Sequence, residues 1–298
     1  MSNGPRIAGA GVCTLDHIVV SPRVSWGGTA RVSSYLAQGG GLIGTALVAC
    51  VRLGADCSLF TLLGDDRVGD QILAELVGEG INADHAVRVP DGESPLGFIH
   101  VDETSGERTI FYRSGKNLQS HPNAPDLTTY QALLVDDVFP DLSLVAAKAA
   151  QSLGIPVIAD LIPDDDNSML LRHTDVLIAP RDYLRRLGSE NDTDAALDAI
   201  HALGPSTAVI TLGADGWVCS DAAGRGAGKA FEVNVVDTTG AGDAFHGAFA
   251  YALATGRDTR GCCEFASAVA AIKCTKPGGR TGLPTLAETM GFLAERKS

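Results

Sequence analysis

Basic residues are scarce in this chain: 23 lysines and arginines stand against 36 aspartates and glutamates, a formal net charge of -13 over 298 residues. A field of that sign repels polyanions, so nucleic acid and anionic membrane surfaces are excluded as general partners. Any anionic ligand must be held by a local site. Long apolar runs are missing too. No stretch approaches the roughly 20 apolar residues that span a bilayer, and Met1 to Gly11 lacks a basic start followed by a long apolar core. The expectation is a cytoplasmic protein with no membrane partner. The cysteines (Cys13, Cys50, Cys57, Cys219, Cys262, Cys263, Cys274) are odd in number and contain no C-x-x-C pair. Zinc and a redox dithiol therefore have no support, and buried free thiols are expected. Internal repeats, low-complexity tracts and an evident linker are also lacking.

What the chain does have is apolar surface, 45% hydrophobic against 20% charged residues, enough for one main core plus a small appendage. Strand-like runs at Arg6 to Ala10, Cys57 to Leu63, Ala132 to Asp136, Pro156 to Asp160, Asp175 to Ala179 and Ala208 to Leu212 are separated by helical stretches. These are Leu42 to Leu53, about Asp70 to Glu79, Leu142 to Leu153 and Thr193 to Leu203. Such alternation predicts an α/β fold with a mostly parallel central sheet and helices on both faces, because parallel neighbours need crossover connections. From Ala241 onward the pattern changes to successive helices, Ala241 to Thr255, Arg260 to Lys273 and Leu286 to Arg296. Two segments, 17–38 and 96–113, read instead as antiparallel strands. In the second, Gly97 to Val101 and Arg108 to Tyr112 flank the turn-like Glu103 to Gly106. Together they form a β-lid on a single domain, residues 1–298.

The strongest local signal is Val236-Asp-Thr-Thr-Gly-Ala-Gly-Asp-Ala-Phe245, a glycine-rich turn directly before an apolar helix. Free N–H groups at that helix start, with the dipole behind them, suit a phosphate or a developing oxyanion. Gly240, Ala241 and Gly242 are small enough for a ligand to approach the backbone. Asp243 falls on the first turn beside the same anion hole, where it can take a proton from an attacking hydroxyl. The plainer account is an aspartate that complements the dipole.

This segment resembles the C-terminal signature of the ribokinase-like (PfkB) carbohydrate kinases, and the resemblance runs along nearly the whole chain. It implies a three-layer α/β/α fold, a kinase that moves the ATP γ-phosphoryl group to a sugar hydroxyl with Mg²⁺, and a homodimer joined through the lid. Asp243 would be the base and Gly240, Ala241 and Gly242 the anion hole. Gly9-Ala-Gly-Val-Cys-Thr-Leu-Asp16 looks like the family's first strand, which puts Asp16 on sugar hydroxyls. A dinucleotide turn at Gly9 to Gly11 is disfavoured, since position 14 is Thr and no helix follows. Gly39-Gly-Gly-Leu-Ile-Gly-Thr-Ala46 is similar to the N-terminal signature, with Gly40 and Gly41 at the acceptor; the family's Asn is replaced by Gly44, removing one polar contact. Gly64-Asp-Asp-Arg-Val-Gly69 matches a substrate-side segment or is a tight surface turn.

On the nucleotide side, Thr211-Leu-Gly-Ala-Asp-Gly216 resembles the loop in which Thr211, Gly213, Asp215 and Gly216 shape the ATP pocket, a simple hairpin turn being the alternative. Ser267 belongs to the same side. Lys273-Cys-Thr-Lys-Pro-Gly-Gly-Arg-Thr-Gly282 resembles a loop that wraps the adenine pocket and, in many relatives, binds a monovalent cation such as K⁺. The carbonyls of Lys273, Lys276 and Gly278, with Asp237 and Thr239, would be its ligands. Where relatives carry Asn-x-x-Glu to organise Mg²⁺, this chain has Pro180-Arg-Asp-Tyr183, leaving Asp182 or ATP phosphates and water. Phe265 to Arg280, with Gly39 to Gly41 and His246, most resembles the branch containing sulfofructose and related ketose kinases, although these residues serve mainly the nucleotide side and do not fix the acceptor. Arg31, Arg113 and Lys116 are candidates for a cationic pocket in the lid, with Arg113 on the substrate. A nucleoside kinase and a catalytically silent nucleotide-binding protein are the competing readings; a nicotinamide oxidoreductase fits poorly, because Asp243 would repel a pyrophosphate.

Overall fold

The computed structural model describes residues 4–119, 123–161, 167–190 and 192–297. The first half runs β1 (Arg6–Ala10), β2 (Thr14–Ser21), β3 (Ser34–Gly40), α1 (Leu42–Arg52), β4 (Asp56–Gly64), α2 (Arg67–Gly78), β5 (Asn82–Val89), β6 (Leu96–Asp102), β7 (Arg108–Arg113), β8 (Ala132–Asp136) and α3 (Pro140–Ser152). It continues with β9 (Val157–Asp160), α4 (Ser168–Leu171), β10 (Val176–Pro180), α5 (Tyr183–Arg186), α6 (Thr193–Leu203), β11 (Thr207–Thr211), β12 (Trp217–Asp221) and β13 (Gly224–Gly228). The helices α7 (Ala241–Ala254), α8 (Thr259–Lys273) and α9 (Leu286–Lys297) complete it.

A nine-stranded sheet in the order β13-β12-β11-β10-β9-β8-β1-β4-β5 forms the centre. It is parallel from β11 to β5, while β12 and β13 add antiparallel at one edge. Two apolar layers cover it. One packs α1, α7 and α8 on one face through Leu47, Phe245, Phe249 and Phe265; the other packs α3 and α6 on the opposite face through Ala146, Ala150 and Ile200. The expected three-layer ribokinase-like α/β architecture is therefore present. β5, β12 and β13 go beyond the predicted strands. In β5 every residue is exposed or half-buried, and β13 is Gly224-Arg-Gly-Ala-Gly228, so neither offers the apolar run from which a strand is read.

The second sheet has four strands, β3-β2-β6-β7, with β2 parallel to β6 and the other pairs antiparallel. β2 begins at Thr14 and β3 ends at Gly40, outside the predicted 17–38, and residues 22–33 carry no strand. One face is packed by Ile18, Ile99 and Val101. The other carries His17 stacked on Phe98, with centroids 5.3 Å apart, and the exposed rings of Tyr35, Phe98 and Phe111.

All seven cysteines are buried and unpaired, as composition suggested. No helix among the described residues is long and apolar enough to cross a membrane.

The helices are aimed by close packing. Gly9 lies under α1, where a Cβ would come 2.6 Å from Ile43 Cγ2 and 2.9 Å from Leu47 Cδ1. Gly11 leaves room for the Asp136 carboxylate, which accepts from Val12 N at 2.7 Å and Val138 N at 3.0 Å. These two glycines thus serve helix packing and a buried carboxylate, which explains a Gly-x-Gly with no nucleotide turn. Gly247 of α7 presses against the Ala46 carbonyl of α1, and Cys50 Sγ donates to the Gly247 carbonyl at 3.1 Å. The contact holds the two helices side by side, so that the start of each opens at the carboxyl ends of the parallel strands, where α/β sheets place their ligands.

Candidate active site

Gly240, with φ 74°, turns the chain into α7; a Cβ there would meet Gly279 Cα and O at 2.9 Å. Only glycine suits both demands. The Ala241 N–H already donates to the Thr238 carbonyl at 3.1 Å, so of the N–H groups expected to hold an anion this one is engaged, while the Gly242 and Asp243 N–H groups at the helix start remain available. The space over Gly242 is open.

Asp243 sits on this first turn, enclosed by protein yet retaining partial exposure. Burial, followed by the nearby carboxylates of Asp160 and Asp16, pushes its carboxyl well above the ordinary range, while Lys273 and Arg108 pull the other way. Asp160 was not anticipated as a site residue. It ends β9, and His246 Nδ1 lies 3.4 Å from its Oδ2. Both ring nitrogens of His246 also face carbonyl oxygens, of Gly242 at 2.9 Å and Ile178 at 3.1 Å, which anchors the first turn of α7 to β10. The one signal for Asp160 in the sequence is an acidic residue closing an apolar strand.

On the acceptor side, Asp16 lies in register with Gly97 of β6 and diagonal to Gly40 of β3, and a Cβ at either glycine would run into its carboxylate. Thr14 Oγ1 donates to Asp16 Oδ1 at 2.6 Å, and burial raises the Asp16 carboxyl against the pull of that hydroxyl and of Arg280. Gly41, φ 84°, starts α1 with a Cβ position only 2.7 Å from Val12 O. The fully buried Arg280 runs beneath this floor. Its Nη2 donates to the Gly40 carbonyl at 2.8 Å, Nη1 lies 3.4 Å from Glu75 Oε1, and Glu75 Oε2 accepts the Gly39 N–H at 2.7 Å. This explains Gly44: a Cβ there would come 2.6 Å from Arg280 Nη2. The space for a side chain at 44 is filled by a guanidinium from the far end of the chain.

The cationic pocket expected in the lid is not assembled. Arg113 is in register with Leu96, so it points to the face opposite Asp16, and its guanidinium pairs with Glu93 and donates to Ser94 O at 3.0 Å. Lys116 Nζ is 3.4 Å from the same Glu93, and Arg31 is exposed. The cation that does reach the site is Arg108, on the Asp16 face at the start of β7. Its Nη1 donates to Thr238 Oγ1 at 2.6 Å, and it lies close enough to Asp243 to favour the ionised form. Gly64 to Gly69 is built as a structural turn: Asp66 caps α2 through Gly69 N at 2.7 Å and holds Ser94 N at 2.8 Å.

On the other side of Asp243, Thr211 ends β11 and Gly213–Asp215 form a single 3-10 turn into β12, with Gly213 at φ 63° and Gly216 at φ 102°. The segment is both a hairpin connection and a loop at the sheet's carboxyl edge. Asp215 is ion-paired with Arg181, so the Pro180-to-Tyr183 stretch braces this loop; Asp182 is exposed and Tyr183 buried. Ser267 is buried within α8. Asp237, 2% exposed, accepts Thr239 N and Gly278 N, each at 2.8 Å; Lys276 caps the turn after α8 by donating N–H to the Lys273 carbonyl at 3.4 Å.

A carboxylate on the first turn of a helix, beside free N–H groups and within electrostatic reach of Asp16, is an arrangement suited to phosphoryl transfer to an alcohol. Residues 8–286 match the family model described as pfkB family carbohydrate kinase. The chain is 30% identical to the ribokinase of Bacillus subtilis over 292 residues, 95% of this chain and 98% of that one. It is 29% identical to the ribokinase of Haemophilus influenzae over 296 residues, covering 95% and 96%. Its backbone superposes on the crystal structure of Thermotoga maritima ribokinase with a TM-score of 0.81 at 25% identity, over 97% of this chain and 99% of that chain. This chain belongs to the pfkB family of carbohydrate kinases. It is an ATP-dependent kinase of the ribokinase type.

Proposed function

We propose that the acceptor is a small neutral sugar, a ketose or pentose, bound between Asp16 and Gly40–Gly41, and that Asp243 takes the proton from the hydroxyl that is phosphorylated. The observation that carries this reading is the placement of Asp243 between the Gly242 and Asp243 N–H groups and Asp16, in a pocket that raises its basicity. Asp16 suits hydroxyl donors, and Arg113 and Lys116 are both engaged by Glu93, which argues against a sulfonated or phosphorylated acceptor such as sulfofructose. The γ-phosphoryl group lies against the α7 N-terminus, with Arg108 closing over it from the small sheet. The triphosphate extends toward Thr211 and Gly213–Gly216. Among the described residues no three ligating side chains cluster for a metal. Mg²⁺ fits as an ATP-borne ion held by phosphates and water, with the largely buried Asp160, close enough to Asp243 to raise its carboxyl, as a carboxylate it could reach through water. When bound, it neutralises charge on the phosphates.

The small sheet acts as a lid that excludes water as a competing acceptor, and its outer face is the dimer surface. Tyr35, Phe98 and Phe111 are 59%, 54% and 54% exposed on one side of that sheet, an apolar patch that a second copy would cover. Sedimentation should give a dimer, and Phe98→Glu with Phe111→Glu should give a monomer; a wild-type monomer at micromolar concentration would remove this part of the proposal.

The function is tested by ADP release from Mg·ATP over ketoses, pentoses, sugar phosphates, sulfofructose and nucleosides. Turnover with a neutral sugar supports the reading. Turnover confined to nucleosides or anionic sugars reassigns the acceptor, and ATP binding without turnover on any of them identifies a silent binder.

A further inference from the structure

At the junction between α8 and the turn that leads into α7, a cation is already built into the chain. Lys273, the last residue of α8, is fully buried, and its Nζ donates to the Asp237 carbonyl at 2.8 Å. The Asp237 carboxylate is nearly inaccessible as well, and the ammonium helps to keep it ionised. This is the junction at which the family resemblance implies an exchangeable monovalent cation, held by Asp237, Thr239 and the carbonyls of Lys273, Lys276 and Gly278. The donors do not fit such an ion. Each Asp237 oxygen already accepts an amide, from Thr239 and from Gly278. The Lys273 carbonyl accepts the Lys276 N–H and is crowded by Gly282, where an added Cβ would run into it. A second cation beside a buried ammonium would also face unscreened repulsion.

We propose that the Lys273 ammonium is the permanent cation of this junction and makes the protein independent of monovalent metal ions. It balances Asp237 and holds the Asp237-to-Gly240 turn, whose next two N–H groups after Ala241 form the anion hole. The same ammonium acts on Asp243 through space, favouring its ionised form. Lys273 is a positioning residue: it reaches no substrate atom and works by fixing the backbone that does. The Thr239 hydroxyl, buried beside the Asp237 carboxylate, marks an oxygen that an entering ion could use once the ammonium is gone.

Only the kinetic arm of the test rests on the kinase reading; thermal melts need no substrate. Wild type, Lys273→Ala, Lys273→Met and Lys273→Gln are melted and assayed in potassium, sodium and tetramethylammonium chloride at matched ionic strength. Wild type should be indifferent to the salt in both readouts. Lys273→Ala should lose about tenfold or more in kcat/KM for ATP in tetramethylammonium and regain most of it in potassium, with a Tm rise of about 4 °C or more as the ion binds the folded state. Lys273→Met, which fills the volume but leaves no room for an ion, should stay low in every salt. Potassium activation or stabilisation of wild type overturns the proposal, as does a Lys273→Ala protein that ignores potassium in both readouts. Should Lys273→Ala fail to fold in any salt, the wild-type salt response and the Lys273→Gln melts decide it by the same criteria.

Discussion

Asp243→Asn lowers kcat by about 10³-fold or more while ATP affinity changes little, because the amide keeps the shape and the helix start but cannot accept the proton. A loss below about tenfold would show that the base lies elsewhere. The pH behaviour separates two consequences of the same burial. For activity the carboxyl must be ionised, and burial with Asp160 and Asp16 holds it above 3.8, so kcat rises with pH through that raised value. Stability moves the opposite way. Between 3.8 and the raised value the folded protein keeps a proton that the unfolded chain has released, so folding stability falls as pH increases. Asp136, pushed up to about 7 by burial, adds to the same slope in wild type and variant alike. Asp243→Asn should therefore melt above wild type at alkaline pH and close to it near pH 4, about the ordinary carboxyl value. An inactive variant that is less stable at alkaline pH would contradict this account of the site.

The second large effect lies under the acceptor floor. Arg280→Met removes a fully buried guanidinium from the Gly40 carbonyl, Thr45 Oγ1 and Glu75, leaving the buried Gly40 carbonyl unsatisfied and the Glu75 charge without its counter-ion. Breaking such an arrangement costs about 3 kcal/mol or more, measurable by chemical denaturation, and the loosened Gly39–Gly41 turn should raise acceptor KM by about tenfold while ATP affinity holds. Gly44→Asn alone should be damaging for the complementary reason, since its Cβ would press on Arg280 Nη2. Combining Gly44→Asn with Arg280→Gln vacates that space, so the double variant should be more stable than the sum of the two predicts. Simple additivity would show that residues 44 and 280 do not share one volume.

These two cases also mark how much of the molecule could be read from its residues. Asp243 and its glycine turn were legible because their chemistry is local: a helix start, small residues and a carboxylate within four positions. The parallel core was legible for the same reason, as apolar runs such as Ala132 to Asp136 name their own strands, whereas β5 and the Gly-rich β13 hold their places by pairing and not by pattern. The rest depends on contacts over long separations. Gly44 read as a lost polar contact, and only the fold brings Arg280 into that space from 236 positions away. Arg113 looked like a substrate ligand until strand register turned it to the far face and put Arg108 at the site. Asp160, at the end of strand β9, meets His246 only because the fold brings α7 beside it.

The close approach of Gly247 to the Ala46 carbonyl has an implication for how such a protein can diversify. By locking α1 to α7 it makes the base, the anion hole and the Gly41 end of the floor parts of one rigid block. Asp16, Gly97 and Tyr112, which share one face, belong to a separate panel, the four-stranded sheet. Residues that choose the acceptor can then drift or be exchanged on the panel without disturbing the geometry that performs the transfer, so new sugars become reachable through changes that each leave a working phosphotransfer engine behind.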